Sequence, residues 1–135
     1  MEKTDFVILA AGRGERLWPI TNHIPKTMVR ILKKPLLEWI VEGVYARARK
    51  IILVVGFKKG AVEEHFARSR FADKIVFVHQ EKQNGTAHAL LAAEKEVQGN
   101  FVVFNGDNFF DPHSFHSFLD EMREGNWFCK ITRKR

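Results

Sequence analysis

The chain has 135 residues, 45% of them hydrophobic and 28% charged. Those figures fit one globular domain, expected to span residues 1–135, and exclude a disordered or low-complexity polypeptide. The net charge of +6 admits a nucleic-acid binder, but Lys130, Arg133, Lys134 and Arg135 supply four of the six charges and no RNA-binding or helix-turn-helix pattern accompanies them.

Met1 to Asp5 lacks a basic leader, and the apolar run that follows is too short for a signal peptide or membrane span. A soluble, cytoplasmic protein without nucleic-acid or membrane partners is expected. Cys129 is the only cysteine, so no internal disulfide is possible, and the six histidines lack zinc-ligand spacing.

Phe6 to Ala10 is a continuous apolar run, as in a parallel strand buried on both faces. A glycine-rich turn follows at Ala11-Gly-Arg-Gly-Glu-Arg16. Residues 17–34 hold Pro19 and Pro25 and no sustained helical period, which predicts a long ordered loop, a feature usually tied to function. From Pro35, the stripe Leu36, Leu37, Ile40, Val41 and Val44 predicts a helix.

Ile51 to Val55 reads as a second buried strand. A helix over 60–70 follows, with Val62 and Phe66 inward, and then a third strand, Ile75 to Val78. Thr86 is the expected N-cap of a helix reaching Val97. Phe101 to Phe104 is the fourth strand. A helix over 112–124 turns Phe115, Phe118, Leu119 and Met122 inward, and Trp127 to Ile131 begins a fifth strand.

Strands alternating with helices predict βαβ units in a mostly parallel sheet, a Rossmann-like three-layer αβα sandwich. Ligands of such sheets bind beyond the carboxyl ends of the strands, where the strand order reverses. Residues 11–16, 80–86 and 105–108 all follow strand ends. The first of these segments is neither a dinucleotide fingerprint, since Leu17 stands where its third glycine belongs, nor a P-loop. Its small residues nevertheless let backbone N–H groups approach an anion.

The run Leu9-Ala-Ala-Gly-Arg-Gly-Glu-Arg-Leu-Trp-Pro19, then Pro25-Lys26, then Lys34-Pro-Leu-Leu-Glu38 resembles the signature of sugar-1-phosphate nucleotidyltransferases. Downstream, Gln80-x-x-Gln83-x-Gly85-Thr86-Ala-His-Ala89 resembles the base-reading segment of N-acetylglucosamine-1-phosphate uridylyltransferases. Gly106-Asp107-Asn108-x-Phe110 resembles the metal-binding segment of glucose-1-phosphate thymidylyltransferases. Four motifs in order and spacing cover nearly the whole chain.

The resemblance implies attack of a sugar 1-phosphate on the α-phosphorus of a nucleoside triphosphate, UTP or dTTP by preference, with loss of pyrophosphate. It implies Arg16 and Lys26 as the catalytic cations, and a nucleotide seat of Leu9, Ala10, Ala11, Gly12, Arg13, Gly14, Gln80, Gly85 and Thr86. Mg²⁺ is implied at Asp107, the setting expected of a carboxylate after a buried strand and a glycine. His88 takes a structural place in the helix.

The chain departs from the pattern at Glu15 (usually Thr), Thr27 (usually Pro or Ala) and Lys33 (usually Gly), while Trp18-Pro19 is reminiscent of mannose-1-phosphate guanylyltransferases. Family members run well beyond two hundred residues, with the sugar pocket and a second metal ligand farther along. A chain cut near its fifth strand is expected to bind nucleotide, turn over poorly alone, and expose a sheet edge suited to homo-oligomer pairing. A catalytically silent nucleotide-binding paralogue and a phosphocholine cytidylyltransferase are the alternatives.

Overall fold

A computed structural model describes residues 3–124; the expected fifth strand and Cys129 lie outside the described residues. Four parallel strands form the main sheet: β1 (Thr4–Ala10), β4 (Ala48–Val55), β5 (Ile75–His79) and β6 (Phe101–Asn105), in the order β5-β4-β1-β6. Ile8 pairs with Leu53 on one side and Phe104 on the other. The chain therefore steps from β1 through β4 to β5, then crosses back to lay β6 on the far side of β1. The strand order reverses between β1 and β6.

Period-2 alternation divides the core in two. Phe6, Ile8, Ala10, Ile51, Leu53 and Val55 face one layer with the buried stripes of α1 (Leu36–Tyr45), α2 (Lys59–Ala67) and α4 (Pro112–Glu124). Val7, Ile52 and Val54 face the other, against Ala89 and Ala93 of α3 (Thr86–Ala92) and the turn after it. This is the three-layer arrangement expected, with all five residues of the α1 stripe buried. Val62 and Phe66 are fully buried as well. On α4, Phe115 and Leu119 are buried, whereas Phe118 stays 39% exposed at the margin, stacked on Phe110.

Three local expectations need correction. The segment 17–34 is ordered, as expected, but it is not a loop throughout. It folds into 3₁₀ turns at Glu15–Leu17, Ile20–Asn22 and Lys26–Met28, then a minimal hairpin of β2 (Arg30–Ile31) and β3 (Lys34–Pro35). Leu32 and Lys33 turn that hairpin with positive φ, the backbone a two-residue connection requires.

Thr86 does not cap α3. Gly85 does, at φ 89° and ψ 175°, a region essentially restricted to glycine. Its carbonyl accepts the Ala89 N–H at 3.1 Å, and Thr86 becomes the first helical residue. Finally, α3 stops at Ala92, and the expected remainder tightens into a 3₁₀ turn, Glu94–Glu96.

Candidate active site

Beyond the carboxyl ends of β1, β5 and β6 lies a cleft of about 570 Å³. Its floor is the end of β1 and the turn after it: Leu9, Ala10, Ala11, Gly12 and Gly14. Gly14 sits at φ 63°, and a Cβ there would come within 2.8 Å of the Lys26 Cβ and 3.1 Å of Thr21. Both the conformation and the space demand glycine. The buried Thr21 donates its hydroxyl hydrogen to the Gly14 carbonyl at 2.8 Å, fastening the loop back onto the turn.

Lys26, so held, forms one side of the cleft. Its Nζ lies 3.0 Å from Oδ2 of Asp107, 81 residues along the chain. The Gly106 N–H continues the β1–β6 ladder by donating to the Leu9 carbonyl at 2.8 Å, which brings Asp107 to the switch point. Both side chains remain open to solvent, 37% for Lys26 and 40% for Asp107. An ion pair so exposed contributes about 0–1 kcal/mol, so an incoming anion or cation can separate it at little cost.

The opposite side is built on β5. The Gln80 N–H donates to the Val55 carbonyl at 2.8 Å, extending the β4–β5 ladder by one residue. Its side chain is buried (5% exposed) yet borders the cleft, with its amide nitrogen 2.9 Å from Nδ1 of His88. Gln83 reaches across to the Ala11 carbonyl with its amide at 2.5 Å, tying this loop to the turn after β1. Gly85, Thr86 and Ala89 complete the side.

The fold thus gathers Leu9, Ala10, Ala11, Gly12, Gly14, Lys26, Gln80, Gly85, Thr86 and Asp107 around one space. Arg13 and Arg16 are not among its lining. Both are exposed on the turn, and the Arg16 guanidinium pairs with no carboxylate among the described residues. Thr27, Gln83 and Asn105 join the lining without having been singled out as site residues. Gln83 stood within the base-reading motif, whereas Asn105 had no signal beyond closing a strand. Thr27 is 6% exposed, and its hydroxyl has no partner among the described residues.

A larger hollow of about 750 Å³ opens beside α2, lined by Glu38, His65, Arg68 and Arg70 among others. No end of a main-sheet strand contributes to it, whereas ligands of open α/β sheets bind beyond those ends. The smaller cleft is the candidate site.

A parallel sheet with its cleft at the reversal of strand order, floored by a glycine turn and flanked by a lysine, belongs to the nucleotide-handling α/β class. The chain is a member of the nucleotidyl transferase family, whose pattern matches residues 6–133. It is 48% identical to the bifunctional protein GlmU of Methanococcus vannielii over 107 residues, 79% of this chain and 25% of that protein. Over 106 residues it is 40% identical to the UTP–glucose-1-phosphate uridylyltransferase AglF of Haloferax volcanii, 78% of this chain and 44% of that one.

Among solved structures, a UDP-glucose pyrophosphorylase complexed with UDP-glucose superposes with a TM-score of 0.75 at 26% identity, covering 90% of this chain and 54% of that one. The chain therefore spans a quarter to about half the length of these relatives. No helix among the described residues is long and apolar enough to cross a membrane.

Proposed function

We propose that residues 1–135 form the amino-terminal, nucleotide-binding part of a sugar-1-phosphate nucleotidyltransferase that uses UTP or dTTP. The observation that carries this reading is the weakly held Lys26–Asp107 pair lining a glycine-floored cleft that the buried Gln80 also borders. A polyphosphate lies along the turn after β1, where backbone N–H groups and small side chains allow close approach. Gln80 and Thr86 read the pyrimidine, and Gly85 leaves room for the ring.

In the reaction, a phosphate oxygen of the sugar 1-phosphate attacks the α-phosphorus in line as the bond to pyrophosphate breaks. No covalent enzyme intermediate is needed. Positioning and charge neutralisation supply the catalysis. Lys26 swings from Asp107 to the phosphates, where a unit charge at ~4 Å is worth up to ~4 kcal/mol at an effective dielectric near 20, before desolvation. Arg16 turns in from its exposed seat, and its planar fork suits phosphate oxygens.

The donor set also fits magnesium. Among the described residues, Asp107 is the one carboxylate lining the cleft, beside Asn105, and no cluster of three acidic, His or Cys ligands exists. Mg²⁺ commonly takes one or two carboxylates and completes its shell with water and substrate phosphate. When bound, it neutralises charge developing on the phosphates.

Calorimetry of the chain with MgUTP and MgdTTP, paired with pyrophosphate release on glucose 1-phosphate and N-acetylglucosamine 1-phosphate, tests the reading. Binding without brisk turnover is expected, with its magnesium dependence weakened in Asp107→Asn. No affinity for either nucleotide overturns the assignment, and rapid turnover refutes the need for the rest of a longer enzyme.

A further inference from the structure

The interaction between Gln80 and His88 joins a buried side chain that borders the cleft to an exposed one that does not line it. A glutamine amide presents two donors on nitrogen and one acceptor oxygen, and a 180° turn about its last bond exchanges the two ends. What an amide reads therefore depends on what holds it. Here Nε2 faces Nδ1 of His88 at 2.9 Å. With Nδ1 accepting, the ring hydrogen resides on its Nε2, and one amide hydrogen is committed outside the cleft. Oε1 has no partner among the described residues and is not a sealed, unsatisfied atom. Gln80 borders the cleft, so Oε1 and the second amide hydrogen are the groups a ligand there would meet.

We propose that His88 is a positioning residue that locks the Gln80 amide in the orientation accepting uracil or thymine and refusing cytosine. The proposal rests on the reading of Gln80 as the base-recognising residue. Uracil and thymine carry a hydrogen on N3 flanked by carbonyl oxygens. A fixed Oε1 accepts that hydrogen, and the free amide hydrogen donates to a neighbouring carbonyl. Cytosine in the same seat turns a lone pair from N3 toward Oε1, setting two acceptors against each other. A hydrogen-bonding group left unpaired or opposed in a buried site costs about 1–3 kcal/mol, roughly 5–150-fold in affinity. An amide released from His88 escapes that cost by rotating, so discrimination falls even though Gln80 itself is intact.

The test compares MgUTP, MgCTP and inorganic triphosphate binding to the unaltered chain, to His88→Ala and to His88→Asn, whose side-chain oxygen can replace Nδ1 as acceptor. The unaltered chain is expected to prefer MgUTP over MgCTP by about tenfold or more. His88→Ala should compress that ratio at least about fivefold, with triphosphate affinity unchanged, and His88→Asn should restore it. Simple loss of structure would weaken all three probes together and would not be reversed by Asn. A UTP-to-CTP ratio unchanged in His88→Ala overturns the lock while leaving the proposed function standing. Failure of the unaltered chain to bind MgUTP overturns the proposed function and the lock with it.

Discussion

Two carboxylates stand at opposite ends of the β1–β6 strand pair, each beside a cation, and they differ in nearly everything else. Asp5, near the start of β1, has no exposed side-chain surface. Its Oδ2 receives the Arg49 guanidinium and the Gln98 N–H, the latter at 3.0 Å. Asp107, past the end of β6, is 40% exposed and meets only Lys26 among the described residues. A buried charge must keep its partners, because losing one leaves it uncompensated. An exposed charge exchanges partners freely, because water screens the loss. One end of the sheet is fastened, and the other is open to solvent.

The comparison breaks most visibly at the fastened end. Arg49→Ala is expected to destabilise the fold by about 2–3 kcal/mol, below most of the ~3–5 kcal/mol for breaking a fully buried pair, since Arg49 itself is partly exposed. Urea titration measures this, and MgUTP affinity at a concentration that leaves the variant folded should not change.

Lys26→Ala reverses the pattern. Its stability should stay within about 1 kcal/mol of the parent, while MgUTP affinity falls roughly 10–100-fold through loss of a charge-assisted hydrogen bond. If both properties fall together, the two ends do not differ as described.

Gly14→Ala sharpens the contrast from the backbone side. A left-handed conformation costs a non-glycine residue about 1–2 kcal/mol, and contact with Lys26 Cβ adds to this, so thermal unfolding should shift downward.

The smallest expected effect lies away from both ends. The hydrogen bond from Lys34 holds the Glu42 carboxyl below its usual range, opposed by partial burial and aided by the charges of Lys34 and Arg70. A carboxylate with lowered folded-state pKa stabilises the fold above its unfolded pKa and loses that contribution as pH falls through the folded value. Glu42→Gln should therefore cost less than about 1 kcal/mol at neutral pH, since the group is substantially exposed, and the difference should vanish in acid.

Regular elements were the legible part of the sequence. The apolar runs in β1 and β4 announce themselves because burial on both faces demands unbroken apolar residues, and the stripe on α1 because burial of one face enforces a period. Placement of three segments beyond strand ends followed from chain order alone. What stayed hidden depends on contacts between distant residues or on single dihedral angles. Nothing local ties Lys26 to Asp107, and nothing in the motif shows that the Gln80 amide meets His88. Thr86 looked like a cap because threonine commonly is one, but Gly85 supplies a backbone geometry that threonine cannot. The exposed setting of Arg16 was equally unreadable, since a loop turn has no periodicity to declare which way a side chain leaves it.

The seat of Lys26 on Gly14, braced by Thr21, has a mechanical consequence. Its first carbon is pinned by backbone packing, not by the carboxylate its ammonium touches, so releasing Asp107 leaves the root of the side chain where it was. Any swing of the ammonium is then left to the outer methylenes, like a mooring line from a fixed bollard.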